Sequence, residues 1–254
     1  MTRRFLTLSV LLTVPFLLSA CADVPKSPEA QTETQISNDP LESVNRVTFD
    51  VNDFMDRLLI RPLTELYRFT IPDMIRDRVA HVLSNMGEPV IMANNLLQGK
   101  WNAAETTATR FAVNTTAGVA GIFEVAEDWG YAKQMGDFGQ TLSVWGVGSG
   151  PYLVLPLFGP STVRDAAGLG VGMVADPWHY AAADGGRTVR DAYDYTAAAA
   201  SGLTQREENL DALDALRAGS LDFYAEMRSV YLQYRDKQLG IENPDSTPKF
   251  EDYE

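Results

Sequence analysis

The chain contains very little of the chemistry on which metal sites and most catalytic sites depend. Its 254 residues include one cysteine, Cys21, and two histidines, His81 and His179. A single cysteine excludes an internal disulfide, and so few soft ligands leave little with which to bind a transition metal. We therefore predict no metal site, and nothing in the composition implies a cofactor.

Positive charge is also scarce. The chain has 21 lysines and arginines against 34 aspartates and glutamates, a formal net charge of −13. Such a chain is repelled by nucleic acid phosphates and by anionic lipid headgroups. Nucleic acid is therefore excluded as a partner, and any attachment to a membrane must come from acyl chains or apolar area.

Catalytic motifs are missing as well. Gly148-Ser149-Gly150 resembles a nucleophile turn, but the G-x-S-x-G pattern fails because position 147 is valine. The glycines do not match a phosphate-binding loop either, since Pro151 stands where its third glycine is needed. We predict that the chain is not an enzyme. A lipase with Ser149 as its nucleophile is the alternative.

The longest region without charge, residues 138–163, contains no Asp, Glu, Lys or Arg. A membrane-spanning helix needs about 20 apolar residues, but glycines and prolines interrupt this region repeatedly, and an interior proline costs a helix about 3 kcal/mol. We predict a bent apolar segment with a small hairpin or loop. Gly146, Gly148 and Gly150 either hinge that loop or form a tight turn against a neighbour.

The N-terminus has the pattern of an exported lipoprotein. Residues 1–20 begin with a positive region, continue with an apolar run and end in small residues, which is typical of a signal peptide. Leu18-Ser19-Ala20-Cys21 resembles the bacterial lipobox, so we expect Cys21 to become N-terminal and acylated. Ala22, rather than aspartate, follows it, which favours the outer membrane.

Two further segments have compositions that cannot form a core. Residues 21–37 hold the acylated cysteine and a stretch rich in Pro, Thr, Gln and Glu, which predicts a flexible tether with a reach of up to about 50 Å. Residues 240–254 are acidic and predict a disordered tail. One helical domain, residues 38–239, lies between them.

Helical periodicity dominates that domain. Asn38-Asp39-Pro40 predicts a helix start with a capping side chain and with proline in the first turn, and apolar residues at three- and four-residue steps predict a helix that ends before Arg61-Pro62. Further predicted helices are 63–69, 73–84, 89–98 with Gly99 as C-terminal cap, 101–113, one that starts with a capping box at Thr204, and one that restarts after Gly219. Aromatic residues of the last helix are expected to pack, with lipid contact as the alternative. The fold class is mainly α.

Several segments resemble the MlaA (VacJ) lipoproteins. The most specific is DFGQTLSVWGVGSGPYLVLPLFGPSTVRD, residues 137–165, which is similar to the family signature nearly throughout. The others are Asn38-Asp39-Pro40-Leu41-Glu42 with Asn45-Arg46, Arg61-Pro62 with Tyr67, Asn85 with Glu88-Pro89, Leu97-Gln98-Gly99, Arg110-Phe111 with Asn114-Thr115-Thr116, and Gly118. The resemblance runs from about residue 38 to residue 178.

The resemblance implies a fold, a role and partners. The fold is a ring of short amphipathic helices in the membrane plane around an amphipathic pore, with a small Gly/Pro-rich hairpin or loop. The role is to remove mislocalised phospholipid from the outer leaflet. The partners are phospholipid, the outer membrane, a trimeric porin, the periplasmic carrier MlaC and, through it, an inner-membrane ABC transporter.

Arginines are the candidate contacts for a phospholipid headgroup. Arg164 closes the uncharged stretch and either draws a phosphate or pairs with a nearby acid. Arg187 and Arg190 lie in the less similar region and are weaker candidates. The alternative to lipid transport is a structural envelope lipoprotein that scaffolds a porin complex.

Overall fold

The structure, a computed structural model, describes residues 39–241. The predicted signal peptide, the acylation site at Cys21, the tether and all but the first two residues of the predicted tail lie outside the described residues.

Helices make up most of the described chain, as predicted. In order they are α1 (Glu42–Met55), a π-helical turn (Asp56–Ile60), α2 (Arg61–Thr70), α3 (Asp73–Leu97), α4 (Trp101–Thr116), α5 (Val125–Asp128), α6 (Phe138–Val144), α7 (Val163–Val174), α8 (Pro177–Ala183), α9 (Arg187–Glu208), α10 (Leu210–Gly219) and α11 (Phe223–Leu239).

A two-stranded antiparallel hairpin stands between α6 and α7. Its strands are β1 (Tyr152–Leu155) and β2 (Gly159–Thr162), with Tyr152 opposite Thr162. The hairpin predicted for the uncharged stretch is therefore confirmed. Between residues 39 and 241, no helix combines the length and the apolar character needed to cross a membrane.

Two predicted helix boundaries are wrong. The predicted break between residues 84 and 89 does not occur, because α3 runs through Pro89. Hydrogen bonds on both sides of the proline hold it in place: Glu88 accepts from Arg110, and Asn94 accepts from Thr141. The predicted end before Arg61 is also absent, since the π-helical turn leads directly into α2 with proline in its first turn.

Two predicted caps have other roles. The side chain of Asp39 does not cap α1; it is fully buried and accepts hydrogen bonds from Asn45, Tyr224 and Arg228, which joins the start of the domain to α11. Thr204 does not begin a helix but lies buried near the end of α9, and the next helix starts at Leu210. Gly99 is a cap as predicted: it has φ +72°, and the Lys100 N–H donates to the Asn95 carbonyl.

Side chains of α1 complete the free edge of the hairpin. Asn45 donates to the Tyr152 carbonyl and accepts from the Val154 N–H, at 3.1 and 3.0 Å. Asn52, two turns later, donates to Leu155 and accepts from the Leu157 N–H, both at 2.9 Å. The two amides thus supply the donor and acceptor that a third strand would offer.

An ionic seam joins the N-terminal helices to α9 and α10. Arg206 binds Asp56 in the π-helical turn, and Arg217 binds Asp53 on α1. Arg68 on α2 binds Glu207 and Asp211, both at 2.9 Å. These arginine and carboxylate pairs set the position of the C-terminal helices against α1 and α2.

Candidate functional site

The distribution of polar and apolar side chains is inverted. Within residues 39–241, 19 polar or charged residues are buried, against seven hydrophobic ones, while 36 large hydrophobic residues are exposed. Water-soluble domains bury mainly apolar residues, and extended exposed apolar surface marks a membrane or protein contact. This exterior therefore suits apolar surroundings.

Seven of the exposed apolar residues form a stripe along α1, the π-helical turn and α2. Three- and four-residue steps separate its members except where the π-helical turn intervenes, and there the step is five residues. A π-helical turn accommodates one extra residue, as the hydrogen bond from the Arg61 N–H to the Asp56 carbonyl shows, so the stripe stays on one side. Its members are Val47, Val51, Phe54, Leu58, Leu63, Leu66 and Phe69.

Charge and amides fill the interior between α3 and α4. Arg110 is fully buried and donates to Glu88 and Glu124, both at 2.9 Å, and to the Tyr131 carbonyl at 2.7 Å. Burial raises the pKa of Glu88 despite its bond to Arg110. Arg110, Glu88 and Glu124 thus form one network. An uncompensated charge at this depth would be costly, and the network gives each charge a partner.

Helices α6 and α7 cross with no room for a side chain. A Cβ at Gly168 would lie 2.4 Å from the Gly139 nitrogen. Arg235 of α11 closes this junction: its five guanidinium N–H groups donate to Asp137 twice, Asp165 twice and Gln238 once, at 2.6 to 3.0 Å. Asp137 also caps α6, and Asp165 lies in the first turn of α7.

Asp165 is the most strongly held acid of the junction. Burial alone raises the pKa of this carboxyl, but hydrogen bonds from Arg235 and Arg164 outweigh that effect and lower the pKa from 3.8 to about 2. Tyr231 adds a third bond at 2.8 Å. The loop between α6 and β1 is joined to the start of α7, since its Ser149 and Pro151 carbonyls accept from the Arg164 and Val163 N–H groups at 3.1 and 3.2 Å.

A cavity of about 360 Å³ opens beside this junction. Polar groups and apolar side chains share its wall, so the cavity suits a ligand that has both a polar and an apolar part. The lining residues are Ser143, Gly146, Val147, Gly148, Ser149, Thr162, Arg164, Leu232, Arg235, Asp236, Leu239 and Ile241.

The three predicted hinge glycines have different local roles. Gly146 has φ +88° and ends α6, with the Val147 N–H donating to the Leu142 carbonyl. Gly150 has φ +66°, and a Cβ there would lie 3.1 Å from the Cβ of Val163. Gly148 has open space around it. Turn geometry therefore accounts for two of the glycines, and motion of the loop remains a prediction.

The predicted arginines are not brought together. Arg164 lines the cavity, is 5% exposed, and donates from Nε to Asp165 at 3.0 Å, so the expected pairing with a nearby acid occurs. Arg187 and Arg190 lie in the first turn of α9, where Arg190 pairs with Asp191, and neither lines the cavity. A headgroup contact at any of the three stays a prediction.

Sequence reasoning missed Arg235 and Asp236. Both lie on α11, beyond the region of strong resemblance, and nothing in the local pattern marks them. The signal for Arg235 is present only in three dimensions, because its partners are 98 and 70 residues away.

The apolar exterior and charged interior of residues 39–241 define a class: a helical protein with a polar cavity and an outer surface suited to apolar surroundings. The chain belongs to the MlaA lipoprotein family, whose family model matches residues 37–238.

Relatives and a solved structure agree with this membership. An uncharacterized protein of Rickettsia bellii (strain RML369-C) is 32% identical over 212 residues, which cover 83% of this chain and 80% of that protein. The intermembrane phospholipid transport system lipoprotein MlaA of Escherichia coli (strain K12) is 35% identical over 167 residues, 64% of each chain. A structure solved in a study of the structural basis for maintenance of bacterial outer membrane lipid asymmetry superposes with a TM-score of 0.67 at 31% identity, covering 79% of this chain and 98% of that one.

Proposed function

We propose that this protein is an outer-membrane lipoprotein that removes mislocalised phospholipid from the outer leaflet and passes it inward, which maintains lipid asymmetry. The observation that carries the proposal is the inverted distribution of side chains: an apolar exterior surrounds buried charges and an amphipathic cavity. A charged headgroup cannot cross hydrocarbon cheaply. A protein with polar groups inside and apolar groups outside lowers that cost.

The family relationship supports the same role. The relative in Escherichia coli (strain K12) is named as the lipoprotein of an intermembrane phospholipid transport system. By that analogy the lipid passes to the periplasmic carrier MlaC and then to an inner-membrane ABC transporter, and a trimeric porin accompanies the lipoprotein. Transport of this kind breaks no covalent bond, so the proposal includes no enzymatic step.

Three sites belong to the proposal. Acylated Cys21 anchors the protein on the periplasmic side of the outer membrane, and residues 22–37 connect the anchor to the domain. The loop that contains Gly146, Gly148 and Gly150 controls access to the cavity. Arg164 contacts the lipid phosphate there.

A deletion strain tests the function. Loss of the gene is expected to increase outer-leaflet phospholipid and sensitivity to detergent with EDTA. The wild-type gene should restore both properties, Arg164→Gln should restore them only partly, and the control Arg57→Gln, which changes an exposed arginine that pairs with Asp53, should restore them fully. Unchanged outer-leaflet phospholipid in the deletion strain contradicts the proposal.

The exposed apolar surface also fits a scaffold for a porin complex, because such a surface can contact protein as well as lipid. Proline at Gly148 and Gly150 distinguishes the two functions. A transporter with a stiffened loop should lose lipid removal, whereas a scaffold should be unaffected by these changes and should fail only when the tether, residues 22–37, is removed.

A further inference from the structure

The charges at the cavity do not form a simple binding site for an anion. Two arginines and one aspartate line it: Arg164, Arg235 and Asp236. Arg235 donates all five of its N–H groups, four of them to the carboxylates of Asp137 and Asp165. Its charge is therefore compensated within the protein, and it holds the junction rather than a ligand.

Arg164 and Asp236 are left as the charged groups that face the cavity. Arg164 is bonded through Nε to Asp165, a carboxylate that Arg235 also holds. Within the described chain, Asp236 has no arginine, lysine or histidine partner within 4 Å, although it stands on the half-buried side of α11. The cavity thus offers one cationic and one anionic group.

The net charge of the groups around the cavity leads to the same conclusion. The two arginines are outnumbered by Asp137, Asp165 and Asp236, so the surroundings of the cavity carry a net charge of about −1. A headgroup with only a phosphate adds a second negative charge and leaves Asp236 partly desolvated without a partner. A headgroup that carries both a phosphate and an ammonium matches both groups.

We infer that this cavity selects zwitterionic phosphoethanolamine headgroups over anionic ones, with the phosphate at Arg164 and the ammonium at Asp236. The apolar part of the wall, which includes Val147, Leu232 and Leu239, then meets the first carbons of the acyl chains. This inference rests on the proposed function, since it names the lipid that the proposed site takes.

A competition measurement tests the inference. Purified full-length protein in detergent receives equal amounts of phosphatidylethanolamine and phosphatidylglycerol with identical acyl chains, and mass spectrometry measures the lipid that stays bound. The wild-type protein should bind about fivefold more phosphatidylethanolamine, the order expected for one partly exposed ion pair. Asp236→Asn should bring the ratio close to 1, whereas Asp236→Glu should keep a preference.

Two further variants distinguish a loss of charge recognition from a general loss of protein structure. Glu226→Gln makes the same change of charge on an exposed residue of α11 that does not line the cavity, and it should keep the wild-type ratio. Arg164→Gln should reduce the binding of both lipids without changing their ratio. A wild-type ratio near 1, or a preference that survives Asp236→Asn in a folded protein, overturns the inference.

The source of the ligand and the proposed function have separate readouts. Glycerophosphoethanolamine, which has the same headgroup but no acyl chains, should not displace bound phosphatidylethanolamine at millimolar concentration; displacement would assign the cavity to a soluble phosphodiester instead. If neither phospholipid binds, the proposed function fails. If both bind equally, only the headgroup preference fails.

Discussion

Asp165 joins α7 to α11 through a single carboxylate, and its ionisation should contribute measurably to folding. Hydrogen bonds lower its pKa from 3.8 to about 2, so the stabilisation is complete above about pH 4 and is lost as pH falls towards 2. We expect the difference in unfolding free energy between wild type and Asp165→Asn to shrink by about 2 kcal/mol between pH 6 and pH 2. Thermal unfolding in detergent at several pH values measures it, and a difference independent of pH contradicts the prediction.

The glycines of the loop should respond unequally to alanine. Gly150 has a positive φ and lies against Val163, and a left-handed conformation costs a residue with a Cβ about 1–2 kcal/mol. Gly148 has neither constraint, so Gly148→Ala should stay within about 0.5 kcal/mol of wild type. Chemical denaturation of both variants in detergent compares them. Equal losses would show that the turn at Gly150 is not the reason for its glycine.

Single residues could be predicted from sequence only where their role is local. Gly99 caps α3 because the residues it needs are its immediate neighbours. Arg164 pairs with Asp165, the next residue, which was one of the two expected outcomes. A side chain of Asn38-Asp39-Pro40 was expected to cap α1, yet Asp39 binds Tyr224 and Arg228 of α11, a contact between the two ends of the domain that no local pattern contains.

At the scale of elements, α1 and the hairpin depend on each other through two asparagines. Asn45→Ala removes a buried amide and leaves Asp39, the Tyr152 carbonyl and the Val154 N–H short of a partner, at a cost of about 1–3 kcal/mol. Hydrogen exchange should show faster exchange of the Val154 amide. Asn209→Ala, which changes an exposed asparagine bonded only within its own segment, should leave that amide protected; equal protection in both variants would contradict the assignment.

Helix existence could be read from the sequence better than helix boundaries. The three- and four-residue spacing correctly predicted α1, α4 and α11, and proline breaks predicted α2, whereas the helix expected from Thr204 starts only at Leu210, as α10. Proline was given too much weight at Pro89, since Glu88 and Asn94 accept buried hydrogen bonds from Arg110 and Thr141 on other helices, which compensate for the missing N–H. The π-helical turn was not predicted because its one extra residue leaves no signal beyond a single five-residue step.

On the scale of the whole molecule, sequence patterns predict which residues share a face but not which face is buried. On α3, Asn85, Glu88 and Asn95 recur with helical spacing and are all buried. In a water-soluble protein such a polar stripe faces solvent. Here the proposed surroundings are hydrocarbon, so the same spacing places the polar side chains in the interior. The surroundings of the protein, and not the spacing, decide which face of the helix is buried.

That environment can be measured with spin labels, because Cys21 is the only cysteine and acylation would block it. Leu58→Cys and Leu66→Cys place a label on the apolar stripe, where both leucines are exposed. In bilayer nanodiscs these labels should collide more with oxygen, which concentrates in hydrocarbon, than with a water-soluble nickel complex. Glu208→Cys, at an exposed acid, should show the reverse. If the labels at residues 58 and 66 behave like the label at residue 208, the stripe faces water, and the inverted interior must have a cause other than contact with lipid.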